Sequence, residues 1–207
     1  MLDNIPYLSY VLPAFIGIGL AAASGFRVFL PMFAVSLASY MGWIPMNETF
    51  QWLAGLPTLI TTGIATVVEI LAYYIPYVDH LLDTMSVPLA TVAGSIMFAS
   101  QFADIGTFPQ WALALIAGGG TAAAISSGFA GTRAASTATT GGLGNSVVAT
   151  TETAGAGIMT ILAMAAPILA GIAAIILVIV VIILGRKIWN KFKRYNSDKL
   201  PETTYTE

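Results

Sequence analysis

The chain has 207 residues, 57% of them hydrophobic and 9% charged, whereas soluble domains carry about 25% charged residues. That balance leaves no room for a sizeable soluble domain and describes a polytopic membrane protein. A net charge of −2 with only eight basic residues gives no face for a nucleic-acid backbone. The absence of cysteine and the single histidine, His80, exclude disulfides, thiolate chemistry and multi-histidine metal sites, so no cofactor and no metal is expected.

The amino terminus, MLDNIPYLSY, lacks the basic start of a secretory signal, and its hydrophobic stretch reads as a retained helix. A first helix is predicted from about Ile5 to Ala23 and a second from Phe26 or Val28 to Trp43, with a tight joint at Ser24-Gly25. Trp43, Phe50 and Trp52 flank a polar stretch that reads as interfacial. Leu56 to Val78 is the third segment, with Glu69 near its middle and Pro76 near its end. DHLLDTMS then forms a short amphipathic piece, followed by an apolar segment from Pro88 to Ile105 that ends in Gln101 and Asp104. The next segment runs from Pro109 to about Ala130.

Between Thr132 and Gly157 the chain is rich in Thr, Ser, Gly and Ala. An extended loop, a broken helix and a re-entrant segment all fit, but not irregular backbone facing lipid. Ile158 to Leu184 carries no charge and is the clearest span. GRKIWNKFKR follows with five of the eight basic residues, which places that end in the cytoplasm. Residues 1–185 therefore read as a transmembrane helical domain, and 186–207 as a basic juxtamembrane segment with a short disordered tail. The fold class is all-α, a bundle of about six hydrophobic segments with a broken or re-entrant one among them.

GLAAASGFR (19–27) has a partial echo in AAAISSGFAGTR (122–133). Either chance in an Ala- and Gly-rich chain or a duplication accounts for it, and a duplication would relate Arg27 to Arg133 about a pseudo-symmetry axis. Six full spans with a cytoplasmic carboxyl end would put both arginines on the outer side, against the charge rule. Either specific partners hold them inside, or one segment does not cross as counted.

Charged residues near hydrophobic segments are the candidate site. Arg27 either snorkels to the headgroups or faces a polar interior with Glu69 as its partner. Glu69, with apolar sequence on both sides, must be protonated, paired or wetted, because an unpaired charge in hydrocarbon costs several kcal/mol. Asp79 and Asp83 lie one helical turn apart and either face water or line a site. Asp104, with Gln101, marks a cavity mouth or a segment end. Arg133, Asn145 and Glu152 complete the set, the last two beside Thr151 and close to the glycines at 141, 142 and 144. The small-residue runs are expected to pack helices within the bundle or between protomers, and a homo-oligomer is expected.

SGFRVFLP, VEILAYYIPYVDHLLDTM, and GTRAAST with GGLGN and a later acid together resemble an uncharacterised family of small bacterial inner-membrane proteins, catalogued as domain of unknown function 4126. The likeness covers most of residues 15 to 170 and rests on the order and spacing of Arg27, Glu69, Pro76, Asp79, Asp83, Arg133 and Asn145. Where that family often has an Asp-Lys pair before the proline, this chain has Tyr73-Tyr74, and a basic residue expected before Pro88 is missing. The resemblance implies a bacterial inner-membrane location and no established reaction.

Three readings follow. The leading one is a small transporter or channel for an anion or a proton-coupled solute, since intramembrane ionisable residues are by default pathway residues. The second is a structural or assembly protein of the inner membrane, with the charges as internal pins. The third is a membrane-embedded enzyme on a lipid phosphate, for which no activated nucleophile or metal set is visible, so an enzyme is the less expected outcome. Membrane lipids and a small anion or other small solute are the expected partners, and no nucleic acid.

Overall fold

A computed structural model describes residues 8–102 and 105–197. Its elements are α1 (Leu8–Phe26), α2 (Phe29–Tyr40), a 3-10 turn (Glu48–Ala54), α3 (Leu56–Ala72), α4 (Pro76–Ala99), α5 (Thr107–Leu113), a π-helical turn (Ala114–Gly119), α6 (Gly120–Thr140), α7 (Asn145–Ala165) and α8 (Pro167–Ser197). No strand occurs among the described residues. Four helical stretches are long and apolar enough to cross a bilayer: Leu81–Ala99, Thr107–Thr140, Asn145–Ala165 and Pro167–Asn190. The 3-10 turn and α3 pass the same test only as a pair bent by 59°, the form of a broken span or a re-entrant loop. The protein is an all-α polytopic transmembrane bundle. At 1.5 Å per residue the 12-residue α2 is only about 18 Å long, short of a hydrocarbon core of about 30 Å.

Helix α1 is the axis of the bundle. Lipid offers apolar side chains as good a home as a neighbouring helix does, so close association depends on small residues that let backbones approach. Along α1, Gly17 meets Phe98 of α4, Gly19 meets Ala163 of α7 and Ala170 of α8, and Gly25 meets Ala122 and Ile125 of α6. Ala21, Ala22 and Ala23 have no exposed surface. The tightest crossing is between α4 and the π-helical turn, where a Cβ on Gly118 would lie 2.6 Å from the carbonyl oxygen of Gly94. Neither position admits a side chain. The small-residue runs thus pack helices inside one chain.

Several boundaries differ from the sequence reading. The stretch from Thr132 to Gly157 is neither loop nor re-entrant: it is the end of α6, a short turn and the start of α7. Its hydroxyls turn back onto their own helices, Thr132 to Gly128, Thr139 to Ala135, Thr151 to Val147 and Thr153 to Ala149. Side chains that looked like loop formers are satisfied within the helix. Only Gly141 and Gly142, at φ 64° and 92°, take the left-handed backbone that ends α6.

DHLLDTMS and the segment after Pro88 form one helix, α4, with Pro76 at its first turn and Pro88 inside it. Pro76 therefore opens α4 and does not lie in α3, which stops at Ala72; a proline suits the first helical turn because no intrahelical donor is needed there. The charge-free last span is divided at Ala166-Pro167 into the end of α7 and the start of α8. The first joint falls at Arg27-Val28 and not at Ser24-Gly25, because Ser24 donates to the Leu20 carbonyl and stays in α1. Helix α8 runs on to Ser197, through the basic segment.

These corrections change the crossing parity. Helices α1, α6 and α8 are parallel: Phe15 sits at Gly171, Gly25 at Ile125, and Gly128 at Val181. Helices α4 and α7 run the other way, with Gly17 against Phe98 and Gly155 against Phe26. The end of α1 that carries Arg27 and the end of α6 that carries Arg133 therefore lie at the same end of the bundle as the basic run after Gly185. A count of six full spans, which leaves residues 132–157 out of the helices, puts them at the opposite end; the alternative that one segment does not cross as counted is the one that fits. No conflict with the charge rule remains.

Candidate functional site

Five chain segments converge at that end: the close of α1, the close of α3, the opening of α4, the second half of α6 and the opening of α7. Each contributes a charged or polar group that its own helix cannot satisfy. Arg133, 2% exposed, is the hub. Its Nε donates to Glu152 Oε1 at 3.1 Å and its Nη2 to Glu152 Oε2, a fork that grips both carboxylate oxygens. Its Nη1 donates to Asp79 Oδ1 and lies 3.4 Å from Asp83 Oδ1. The other Asp79 oxygen accepts from Asn145 Nδ2 at 2.9 Å, and the same amide donates to Thr137 Oγ1. Helices α4, α6 and α7 are thereby linked through one guanidinium.

Arg27, 1% exposed, does not snorkel. Its Nη2 donates to the Ala149 carbonyl at 2.8 Å and lies 3.5 Å from Glu152 Oε2, and its Nε donates to Thr153 Oγ1 at 3.1 Å. Glu152 thus stands between the two arginines. Tyr73 lies against both as well, with each guanidinium carbon 4.0 Å from its ring centroid. The electron-rich ring offsets part of the repulsion between the two like charges. The Arg27 Nη1 and the Asn145 Oδ1 are buried and find no partner among the described residues.

The expected Arg27–Glu69 ion pair is not made. Glu69 instead accepts from the backbone N–H of Val28 at 2.8 Å and of Phe29 at 3.0 Å. These are orphan donors at the start of α2, which has no side-chain cap of its own. The carboxylate from α3 supplies the cap, and the positive end of the α2 dipole favours its charge. Arg27 is turned to α7 and takes Glu152 in its place.

Glu69 also forms part of a crevice of about 160 Å³ between α3 and α4, lined by Val28, Phe29, Ala65, Tyr73, Leu82 and Leu89 among others.

Of the residues the sequence singled out, Arg27, Glu69, Asp79, Asp83, Arg133, Asn145 and Glu152 are brought together. The open alternative that Asp79 and Asp83 face water fails for Asp79, which is 2% exposed, and Asp83 is half-buried beside Arg133. Asp104 lies outside the described residues. Gln101 donates to the Ser100 hydroxyl next to it, which makes it a segment end. Thr151 is exposed and bonded along its own helix. Tyr73, Thr137 and Thr153 were missed, and the signal for Tyr73 was its place in the one pair where this chain departs from the resembling family. The two echo segments lie side by side and parallel, with Phe26 and Phe129 in ring contact at 5.0 Å.

A family model for a domain of unknown function, DUF4126, matches residues 14–187. The chain belongs to this family. All seven assembled candidates fall within its DUF4126 stretch. No curated protein and no solved structure matches the chain. Among the described residues no group of three or more His, Cys, Asp or Glu is placed to hold a metal ion, since the carboxylates are turned to arginine, amide and backbone N–H donors.

Proposed function

We propose that this DUF4126 protein is a small bacterial inner-membrane transporter that couples movement of a small solute to a proton, with its carboxyl end in the cytoplasm. One observation carries the reading. Three buried carboxyl groups, Glu69, Asp79 and Glu152, and the half-buried Asp83 gather in one region with two guanidinium groups, Arg27 and Arg133, while Glu69 bonds backbone N–H groups and neither guanidinium. Burying surplus charge is expensive, so an excess of acids in a low-dielectric site favours holding a proton. Protonation of Glu152 would loosen Arg133 from α7, which makes proton uptake a lever on helix positions. The basic run after Gly185 lies at the same end of the bundle and supports the cytoplasmic orientation.

The arginines are each matched by carboxylates, which favours a proton-linked solute over an arginine-lined anion channel. A structural role is the second reading, and its support is the linkage of α4, α6 and α7 through Arg133. Flux through purified protein in liposomes, against protons, monovalent cations and small anions, tests the choice. Transport predicts solute flux that follows an imposed pH gradient and is changed in Glu152→Gln and Arg27→Gln at unchanged protein content. A structural pin predicts no flux, and loss of folded protein in both variants.

A further inference from the structure

Helix α8 outruns the bundle. Val181 packs against Gly128 of α6, and from Ile182 to Asn190 every residue is exposed. The helix continues all the same to Ser197. Its charge-free part, residues 167–185, rises about 28 Å at 1.5 Å per residue, close to the hydrocarbon core of about 30 Å. The basic part therefore begins at the headgroups.

That part is sorted by face. At about 100° per residue, Arg186, Lys187, Lys191, Lys193 and Arg194 fall on one arc of about 160°, with Asn190 among them. Ile188, Trp189, Phe192 and Tyr195 fall on the opposite arc. No acid lies on α8, and among the described residues neither Arg186 nor Lys187 has an ion-pair partner. Ile188 and Trp189 are 59% and 75% exposed. A span end that only marks orientation needs cations and no sorting. An aromatic face set against a cationic one fits a boundary that is apolar on one side and anionic on the other.

We propose that residues 186–197 form an interfacial helix that lies on the adjoining leaflet, with its aromatic face at the acyl boundary and its cationic face among the headgroups of anionic phospholipid. Charge complementarity selects that lipid, since each Lys or Arg near an anionic surface adds to the attraction. Contact with the leaflet bends α8 at Gly185, which has open space where a side chain would be, so the bend displaces no neighbour. The helix anchors the charged end of the bundle to the membrane surface whether or not the protein transports a solute.

The chain has no cysteine, so one engineered cysteine carries one spin label. Tyr195→Cys and Ser197→Cys place it on the aromatic and the cationic arc, two residues apart, in the purified full chain in nanodiscs. Accessibility is read to oxygen, which concentrates in the bilayer, and to a nickel chelate, which stays in water. With phosphatidylglycerol present, the ratio of oxygen to nickel accessibility should be at least threefold higher for the 195 label than for the 197 label. In phosphatidylcholine alone, or with Lys191→Gln, Lys193→Gln and Arg194→Gln combined, the two labels should become alike.

Two labels equally open to the nickel chelate in phosphatidylglycerol overturn the proposal, because the extension then projects into water. A contrast that persists in phosphatidylcholine overturns it too, because no anionic headgroup is then needed. A 195 label shielded from both reagents marks a protein partner and overturns it as well. Phe192→Cys, on the aromatic arc, decides by the same criteria if the Tyr195 substitution disturbs the helix.

Discussion

At the end of the bundle where α4 finishes, Leu20, Val35, Leu53, Met97 and Phe98 form an apolar cluster. The polar groups there serve the backbone: Ser36 donates to the Leu53 carbonyl, Asn47 to that of Phe102, and Gln110 to those of Ala99 and Phe102. At the other end, Arg27, Tyr73, Asp79, Arg133, Asn145 and Glu152 fill the same kind of interior with charge. The apolar end needs only shape. The charged end needs every member in place, because removing one partner of a buried pair leaves the other uncompensated, at a cost larger than the pair's own net worth. A membrane protein that required only a stable bundle had the apolar solution at hand, and used it at one end.

Substitutions separate the two ends by size and kind of effect. The largest loss is expected for Arg133→Met, which strands Asp79 and Glu152: about 3–5 kcal/mol in reversible unfolding in detergent. Adding Asp79→Asn and Glu152→Gln to the same protein should recover most of it; failure to recover would show that Arg133 packs more than it pairs. At the apolar end Gly118→Val should cost about 1–3 kcal/mol through overpacking against Gly94 and Phe98, with no rescue by any charge change.

Tyr73→Leu comes next, at about 1–2 kcal/mol for two desolvated cation–π contacts. Tyr73→Phe should stay near the wild type, since it is the ring face that is used. The smallest effect on stability belongs to Glu69→Gln, about 1 kcal/mol, because its one amide oxygen can replace only one of the two carboxylate oxygens that accept from the Val28 and Phe29 N–H groups. Proton-linked flux should nonetheless change in that variant. A large fall in thermal midpoint there would make the Glu69 cap a structural element before anything else.

Much of the charged end was legible because intramembrane charge is costly and therefore informative. Arg27, Glu69, Asp79, Asp83, Arg133, Asn145 and Glu152 all stood out by position against apolar sequence, and all meet in one region. Their pairing was not legible. Arg27 and Glu69 looked like natural partners from opposite charge and neighbouring segments, yet the joint at Val28 offers free amides closer to Glu69, and α7 brings Glu152 to Arg27. Tyr73 carried no charge to draw notice. The hairpin at Gly141-Gly142 was hidden by Thr- and Ser-rich sequence whose hydroxyls bond within their own helices.

The sequence by itself determined the solvent: so few charges and so many long apolar runs have only one low-energy environment, and in that environment the backbone must close its hydrogen bonds in helices. It also determined which residues would have to be explained. Only the tertiary structure decided who pairs with whom and on which side of the bundle the arginines lie. Pairing depends on which helix ends meet, and those meetings are set by small-residue contacts such as Gly94 with Gly118 and Gly25 with Ile125, far apart in the chain and invisible to any local pattern.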